Sequence, residues 1–297
     1  MSGMRQRRAK STVSRVCAET CLGLALLVMA WSTQASECVE LAGDLVQGGL
    51  ISGQVDPASA VTLNDARLDV LPDGSFLAGF GRDAPTSASL TVSGVHNCSM
   101  QLAVRQRDYI IQRVEGVPQE TVTPPPERQA RIARERALVG AAKRQRIERP
   151  ELLHDALAGF AWPALGPISG VYGSQRFYNG VPRSPHYGVD VALPTGSPVT
   201  APSSGVVTLA EDDLFYSGGT IILDHGYGLS SSFLHLSKVL VEVGQEVRTG
   251  DLIGEIGASG RATGPHLDWR MSWRGERIDP QLLVPPMPDL AEQARAD

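Results

Sequence analysis

Short apolar runs separated by turn residues recur along this 297-residue chain, and they restrict the folds that it can adopt. Its 31 glycines and 20 prolines fall largely between these runs, and aromatic residues make up only 5% of the chain. Such punctuation favours turns between short strands over long helices. The 42% of hydrophobic residues is enough for packed cores. We therefore expect a mainly β protein with about two domains.

The first 35 residues have the composition of an export signal. Basic residues precede an uncharged apolar run at residues 21–31. This run has the length of a signal-peptide core and is short for a membrane span, which needs roughly 20 apolar residues. We expect removal of residues 1–35, with cleavage after Ala35, and a mature protein in the periplasm or cell envelope. An uncleaved membrane anchor is the alternative.

Residues 36–105 are expected to form a small β domain. Short apolar runs alternate there with turn signals such as Asp56-Pro57 and Pro72-Asp73-Gly74. This spacing is typical of a β sandwich, similar in outline to an immunoglobulin domain. Once the signal is removed, only Cys38 and Cys98 remain of the 4 cysteines. We predict a disulfide between them, which fits an oxidising compartment, with two buried free thiols as the alternative.

Residues 106–159 are predicted to link this domain to the next. Three consecutive prolines at 124–126 favour an extended polyproline conformation and mark a boundary. From Glu127 to Arg149 the composition is helix-forming, with eight basic and three acidic residues. A solvated helix that spaces the domains is one interpretation. The other is a basic helix that contacts an anionic membrane or a cell-wall polymer.

Histidines and aspartates collect in the C-terminal part of the chain. His186 precedes Asp190 by four residues, and His266 precedes Asp268 by two. Side chains at even spacing in an extended chain point to the same face, so the two pairs can converge on one ion. Zinc takes nitrogen and oxygen ligands, and a catalytic zinc keeps three protein ligands plus a water.

The order of motifs in this part resembles a known family. H-x-x-x-D at residues 186–190, F-L-H-L-S at 233–237 and G-P-H-L-x-W at 264–269, with G-G-T-I-I-L-D-H-G between them, resemble the lysostaphin and LytM type of zinc metallopeptidase. The resemblance covers residues 162–280, within a domain that we expect at residues 160–285, followed by a tail at 286–297. It implies a two-layer antiparallel β domain that holds one zinc ion in a groove and cuts peptide bonds in bacterial peptidoglycan.

The same resemblance assigns roles to particular residues. It implies that His186 and Asp190 are zinc ligands. It also implies that His235 and His266 are catalytic, flanking the metal-bound water and the oxyanion. The third ligand of the family is the second histidine of an H-x-H pair, and this chain has Asp268 there. A carboxylate also ligates zinc, so Asp268 remains the expected third ligand.

The substitution at position 268 leaves two functions open. Two carboxylates cancel the formal charge of a divalent ion and weaken it as a Lewis acid, and another metal can prefer such oxygen ligands. We expect an active zinc endopeptidase acting on peptidoglycan peptide stems. The alternative is a catalytically degenerate regulator that activates a cell-wall amidase or another partner protein. The net charge of −5 argues against a nucleic-acid partner.

Four further residues carry weaker expectations. His235 follows Phe233 by two positions, so we expect both side chains on the same face of a strand. Arg176 is a candidate for binding a carboxylate of the substrate, with a structural ion pair as the alternative. Tyr216 is a weaker candidate for lining the groove. His225 lies at the head of a turn, and we expect a structural hydrogen-bonding role.

Overall fold

Strands dominate the described part of the chain, residues 39–115 and 125–289, in this computed structural model. The described residues belong to one unit that spans Glu37–Asp297. The expected signal peptide, Cys38 and residues 290–297 lie outside the described residues, so signal cleavage and the Cys38–Cys98 disulfide stay predictions. None of the helices within the described ranges has the length and apolar content that crossing a membrane requires.

Two antiparallel sheets build the N-terminal domain. The first sheet has the order β1-β2-β5 and comprises Leu41–Gly43, Leu50–Gln54 and Ser75–Gly79. The second has the order β4-β3-β6-β7 and comprises Ala66–Arg67, Ala60–Leu63, Ser87–Ser93 and Cys98–Ala103. Alternate residues of β6 are buried, and Leu90 shares one hydrophobic cluster with Phe76 of the other sheet. The pairing agrees with the predicted sandwich.

The predicted linker contains a strand as well as helices. β8, Ile111–Val114, leaves the N-terminal domain and pairs in parallel with β10, Gln175–Tyr178, which in turn pairs with β11, Val181–Pro182. Strand pairing therefore ties the start of the linker to the C-terminal domain.

Two helices follow within the described part of the linker, α1 at Pro126–Arg144 and α2 at Pro150–Leu157. Ala142 and Val139 of α1 pack against a small apolar cluster of Leu209, Leu214 and Ile222. These three residues lie on strands of the C-terminal sheet, so α1 is a packed part of that domain and not a free spacer.

The C-terminal domain is a ten-stranded, antiparallel sheet. Its main path has the order β17-β14-β15-β16-β19-β12-β9, and β13, β18 and β20 pair at its sides. The strands are β9 Ile168–Gly170, β12 Val189–Val191, β13 Pro198–Thr200, β14 Gly205–Leu214, β15 Gly218–Asp224, β16 Leu229–Val239, β17 Glu246–Val247, β18 Leu252–Ile256, β19 Leu267–Trp273 and β20 Glu276–Ile278. A short 3-10 helix, Pro280–Leu282, follows. The mainly β fold class is thus confirmed.

One buried ion pair joins the two domains. Arg107 follows the N-terminal sandwich, and its Nη1 lies 2.7 Å from Oδ2 of Asp279, which is only 1% exposed. Asp279 also accepts a hydrogen bond from the backbone N–H of Gln281 and so caps the 3-10 helix. The tyrosine rings of Tyr109 and Tyr172 meet edge to face beside this pair, with centroids 6.3 Å apart. The contact between the two domains therefore combines an ion pair with an aromatic pair.

Candidate metal centre

Strand register places the two aspartates opposite each other. Asp190 of β12 pairs directly with Asp268 of β19. Their neighbours Val189 and Trp269 also pair and are fully buried in the core, so both carboxylates lie on the other face of the sheet. On the far side of β12, Asp190 faces Gly170 of β9, where an added Cβ would lie 2.1 Å from Oδ2 of Asp190. Glycine at 170 therefore leaves room for the carboxylate.

His186 reaches the same point from outside a strand. Its backbone N–H donates to the Ser174 carbonyl at 2.9 Å, and its carbonyl accepts from the Gly173 N–H at 2.7 Å. Its Nε2 lies 3.0 Å from Oδ1 of Asp190 and 3.5 Å from Oδ2 of Asp268. The predicted convergence of these three side chains is therefore seen. The argument from an extended strand was wrong for His186, because its segment is irregular and is held by loop hydrogen bonds.

Two polar atoms at the centre lack hydrogen bonds. Nε2 of His186 and Oδ1 of Asp190 are buried and make no hydrogen bond within the described structure, although they face each other. An unsatisfied buried polar group costs about 1–3 kcal/mol. One ligand atom from each of His186, Asp190 and Asp268 can be chosen so that all lie within 4.8 Å of one another. One nitrogen and two carboxylate oxygens are donors that a divalent cation accepts, so the three residues fit a metal site.

The protonation of His186 supports the same fit. Its Nδ1 lies 3.3 Å from the Val171 carbonyl, which can only accept, so the hydrogen of a neutral ring belongs on Nδ1. Nε2 then points a lone pair at a carboxylate oxygen. Burial by itself lowers the pKa of His186, but the carboxylates of Asp190 and Asp268 outweigh it and raise the pKa to about 9. A cation among these atoms would replace the proton that they otherwise attract.

Asp268 has a closer guanidinium partner than Asp190, whose nearest one in the described structure, Arg176, lies 3.8 Å away. Nε of Arg270 lies 2.9 Å and 3.1 Å from the two carboxylate oxygens of Asp268, and Nη2 lies 2.5 Å from Oδ2. Burial alone would raise the pKa of Asp268, but Arg270 and His186 hold it well below its usual value. Asp268 is therefore ionised. Arg270 is a functional candidate that the motifs do not reveal. Its spacing of two residues from Asp268 on one strand is the signal that places both side chains on one face.

A bulge turns His235 toward the site. Phe233 pairs with Trp269 in the core, and Leu234 pairs with Asp268. The register between β15 and β16 then shifts, because β16 carries one extra residue, and His235 has a positive φ of 66°. The expectation that His235 shares a face with Phe233 is wrong, since the extra residue interrupts the alternation of the strand. Bulges beside active sites re-aim side chains in this way.

The two candidate catalytic histidines stand side by side. The rings of His235 and His266 have centroids 4.8 Å apart, and Nε2 of His266 lies 3.9 Å from Oδ1 of Asp190. Nδ1 of His235 lies 2.8 Å from the Ser259 carbonyl, and Nδ1 of His266 lies 2.9 Å from the Gly264 carbonyl. Each Nδ1 therefore donates its hydrogen to a carbonyl, which leaves Nε2 as a proton acceptor. Burial lowers the pKa of His235, which keeps its ring neutral near pH 7.

The weaker candidates lie at the edges of the site or outside it. Nη2 of Arg176 lies 3.8 Å from Oδ2 of Asp190, which favours an ion pair with the site itself. The guanidinium of Arg261 stacks over the ring of Tyr216, 4.5 Å from its centroid. A role in substrate binding stays a prediction for both Arg176 and Tyr216. His225 is fully buried, with its ring nitrogens 2.8 Å from the Ser204 carbonyl and 2.7 Å from the Ser231 hydroxyl, as expected of a structural histidine.

Comparison with known families agrees with this geometry. A family model described as "Peptidase family M23" matches residues 184–280. This range contains the five histidine and aspartate side chains of the site. The chain contains a peptidase family M23 domain. All three predicted ligands and both candidate catalytic histidines lie in this M23 domain, and the resemblance seen in the sequence is confirmed.

Two relatives and one solved structure show how far the similarity extends. Over 104 residues the chain is 39% identical to peptidoglycan DD-endopeptidase ShyA of Vibrio cholerae, covering 35% of this chain and 24% of ShyA. Over 136 residues it is 33% identical to the lipoprotein NlpD/LppB homolog of Pseudomonas aeruginosa, covering 46% of this chain and 43% of that protein. The matches thus span less than half of either relative.

The structural similarity covers more than the M23 domain. A crystal structure of a candidate M23 peptidase from Pseudomonas aeruginosa superposes with a TM-score of 0.60 at 29% identity. The match covers 80% of this chain and 93% of that chain. The architecture around the M23 domain is therefore shared with a solved protein.

Proposed function

We propose that this protein is an exported zinc metalloendopeptidase that hydrolyses peptide cross-links of bacterial peptidoglycan. The observation that carries the proposal is the buried, unsatisfied pair of His186 Nε2 and Asp190 Oδ1, with Asp268 beside them and the imidazoles of His235 and His266 at the rim. The similarity to a peptidoglycan DD-endopeptidase supports the substrate class. The basic and apolar N-terminal segment supports export to the periplasm or cell envelope.

Each side chain has a part in the proposed reaction. His186, Asp190 and Asp268 would hold the zinc ion, which supplies Lewis-acid polarisation of a carbonyl and makes water easier to deprotonate. Nε2 of His266 takes the proton of the attacking water and delivers it to the leaving amine. The His235 ring lies beside that of His266, and its Nε2 accepts a hydrogen bond from a water whose second hydrogen is donated to the developing oxyanion. The carbonyls at Ser259 and Gly264 fix both rings in the tautomer this requires.

Digestion of isolated peptidoglycan tests the proposal. The protein without its apolar leader should convert cross-linked peptide dimers to monomers with new amino termini, detected by mass spectrometry of the released fragments. His266→Ala should abolish this conversion. His154→Ala is a matched control, because His154 lies on α2 and pairs with the exposed Asp73. Absence of new amino termini in the presence of zinc would reject the endopeptidase.

A non-catalytic regulator is the second candidate function. Two observations favour it, the similarity to an NlpD/LppB homolog and the replacement of a ligand histidine by Asp268. Such a protein would bind an amidase or another cell-wall partner through the same groove. The basic surface of α1, including the exposed Arg134 and Arg136, is a candidate contact for a membrane or wall polymer. Faster digestion of peptidoglycan by an added amidase, with no new amino termini from the protein alone, would select the regulator.

A further inference from the structure

Arg270 makes the second carboxylate of the metal centre different from the first. Its guanidinium approaches both oxygens of Asp268 at hydrogen-bonding distance, whereas Oδ1 of Asp190 has no hydrogen-bond partner within the described structure. The side chain of Asp268 is 3% exposed and that of Arg270 is 29% exposed. A charge-assisted, two-point contact of this kind fixes the orientation of a carboxylate.

The strands around the pair are shaped to hold it. Asp268 and Arg270 lie two residues apart on β19, so they share the face of the sheet that carries the site. Gly188, immediately before the neighbouring strand β12, lies against them. A Cβ at Gly188 would lie 2.5 Å from Oδ1 of Asp268 and 2.6 Å from Cγ of Arg270. The glycine therefore leaves the space that both side chains occupy.

We propose that Arg270 is a positioning residue that compensates the negative charge of Asp268. The ligand set of His186, Asp190 and Asp268 then has the same electrostatic effect on the ion as a set whose third ligand is neutral. The inference rests on the proposed function of the site. A divalent ion with two carboxylates is formally neutral. Among the groups in direct contact with the ligands, the guanidinium of Arg270 returns one positive charge, since Arg176 stays 3.8 Å from Asp190. The sum equals the total for a divalent ion with one carboxylate and two imidazoles. Arg270 thereby keeps the ion an effective Lewis acid.

This role predicts opposite changes in metal affinity and in turnover. A fixed positive charge beside Asp268 repels the cation, so its removal should tighten zinc binding by about tenfold or more. The same removal should leave a less electrophilic ion and reduce kcat. A purely structural role for Arg270 would weaken zinc binding and turnover together. A role as a competitor that draws Asp268 away from the ion would raise both when Arg270 is removed.

The experiment combines calorimetric zinc titration with hydrolysis of a cross-linked stem peptide. Both are measured for the purified protein, Arg270→Gln, and the control Arg274→Gln, whose exposed guanidinium contacts the Arg67 carbonyl at 2.7 Å. The expected result is tighter zinc binding and lower kcat for Arg270→Gln alone. The double variant Asp268→His with Arg270→Gln should recover kcat relative to Arg270→Gln, because it restores the same total charge with an imidazole.

The zinc titration decides the inference independently of catalysis, because it uses no substrate. Tighter binding in Arg270→Gln supports charge compensation even if no peptide is hydrolysed, provided that Asp268→Asn weakens zinc binding while Arg270 is present, because a competitor would already hold Asp268 off the ion. In that case only the endopeptidase function fails. Unchanged or weaker zinc binding in a folded Arg270→Gln overturns the inference. Tighter binding with higher kcat also overturns it, because Arg270 is then a competitor for Asp268.

Discussion

Replacing Arg107 with Met should destabilise the protein through the buried carboxylate it leaves behind. The Arg107 side chain is 26% exposed, and the Asp279 side chain that it pairs with is 1% exposed. Removing one partner of a buried pair costs about 3–5 kcal/mol. The partial exposure of Arg107 reduces this, and we expect a loss of about 2–4 kcal/mol in the free energy of unfolding at pH 8.

The loss should depend on pH in a direction that the structure fixes. Burial raises the pKa of Asp279 above its usual value, and Arg107 opposes that rise. Without Arg107 the folded-state pKa rises further, while the pKa in the unfolded chain stays at about 3.9. At pH values between the unfolded-state and folded-state pKa of Asp279, the folded state binds more protons than the unfolded state. The free energy of unfolding therefore falls as pH rises. The deficit of Arg107→Met should therefore be smaller at pH 5 than at pH 8.

Urea unfolding at pH 5 and pH 8, followed by tryptophan fluorescence, measures both effects. Asp279→Asn in the Arg107→Met background should recover much of the loss, because asparagine keeps the cap on Gln281 without the charge. Arg149→Met is the control, since its pairs with Glu151 and Glu246 are exposed, and it should show no measurable change. A loss below about 1 kcal/mol, or an equal loss at both pH values, would show that the Arg107–Asp279 pair does not stabilise the fold by neutralising a buried carboxylate.

Three further predictions concern titration and metal binding. Burial lowers the pKa of His225 to about 4, against about 6.5 in an unfolded chain, so the free energy of unfolding should fall as pH drops from 6.5 toward 4. An acid unfolding series measures this decline, and the same decline in His225→Gln would contradict its assignment to His225. Burial, with Arg277 and Arg270 nearby, lowers the pKa of Lys143 to about 7, so Lys143→Met should raise Tm at pH 7 and lose that advantage near pH 10. Zinc should raise the Tm of the natural protein and not that of His186→Ala, measured by differential scanning fluorimetry; equal shifts place the zinc elsewhere.

Some parts of the structure could be predicted because they depend on local residue patterns. The strands at Ala60–Leu63 and Ser87–Ser93 follow from short apolar runs between turn residues. These strands need no knowledge of distant contacts. The convergence of His186, Asp190 and Asp268 does depend on such a contact, because Asp190 pairs with Asp268, and it was predicted from the resemblance of three motifs to a known family.

Other parts depend on pairing between distant segments. β8 was assigned to a linker because its partner β10 lies about 60 residues later in the chain, as its pairing of Ile111 with Gln175 shows. His235 was placed on the wrong face because a bulge is decided by the register with β15, which the sequence of β16 alone does not reveal. Arg270 could not be recognised from the sequence, because its contact with Asp268 matters only once Asp268 is known to lie beside His186 and Asp190.

Zinc K-edge X-ray absorption identifies and counts the donor atoms of a bound ion, so it tests whether His186, Asp190 and Asp268 are the zinc ligands. We expect one zinc ion per chain, coordinated by one imidazole nitrogen and by carboxylate oxygens. The imidazole signal should disappear in His186→Ala and persist in His235→Ala and His266→Ala. A shell of two or more imidazoles, or one unaffected by Asp268→Asn, would contradict the assignment of His186, Asp190 and Asp268 as the ligands.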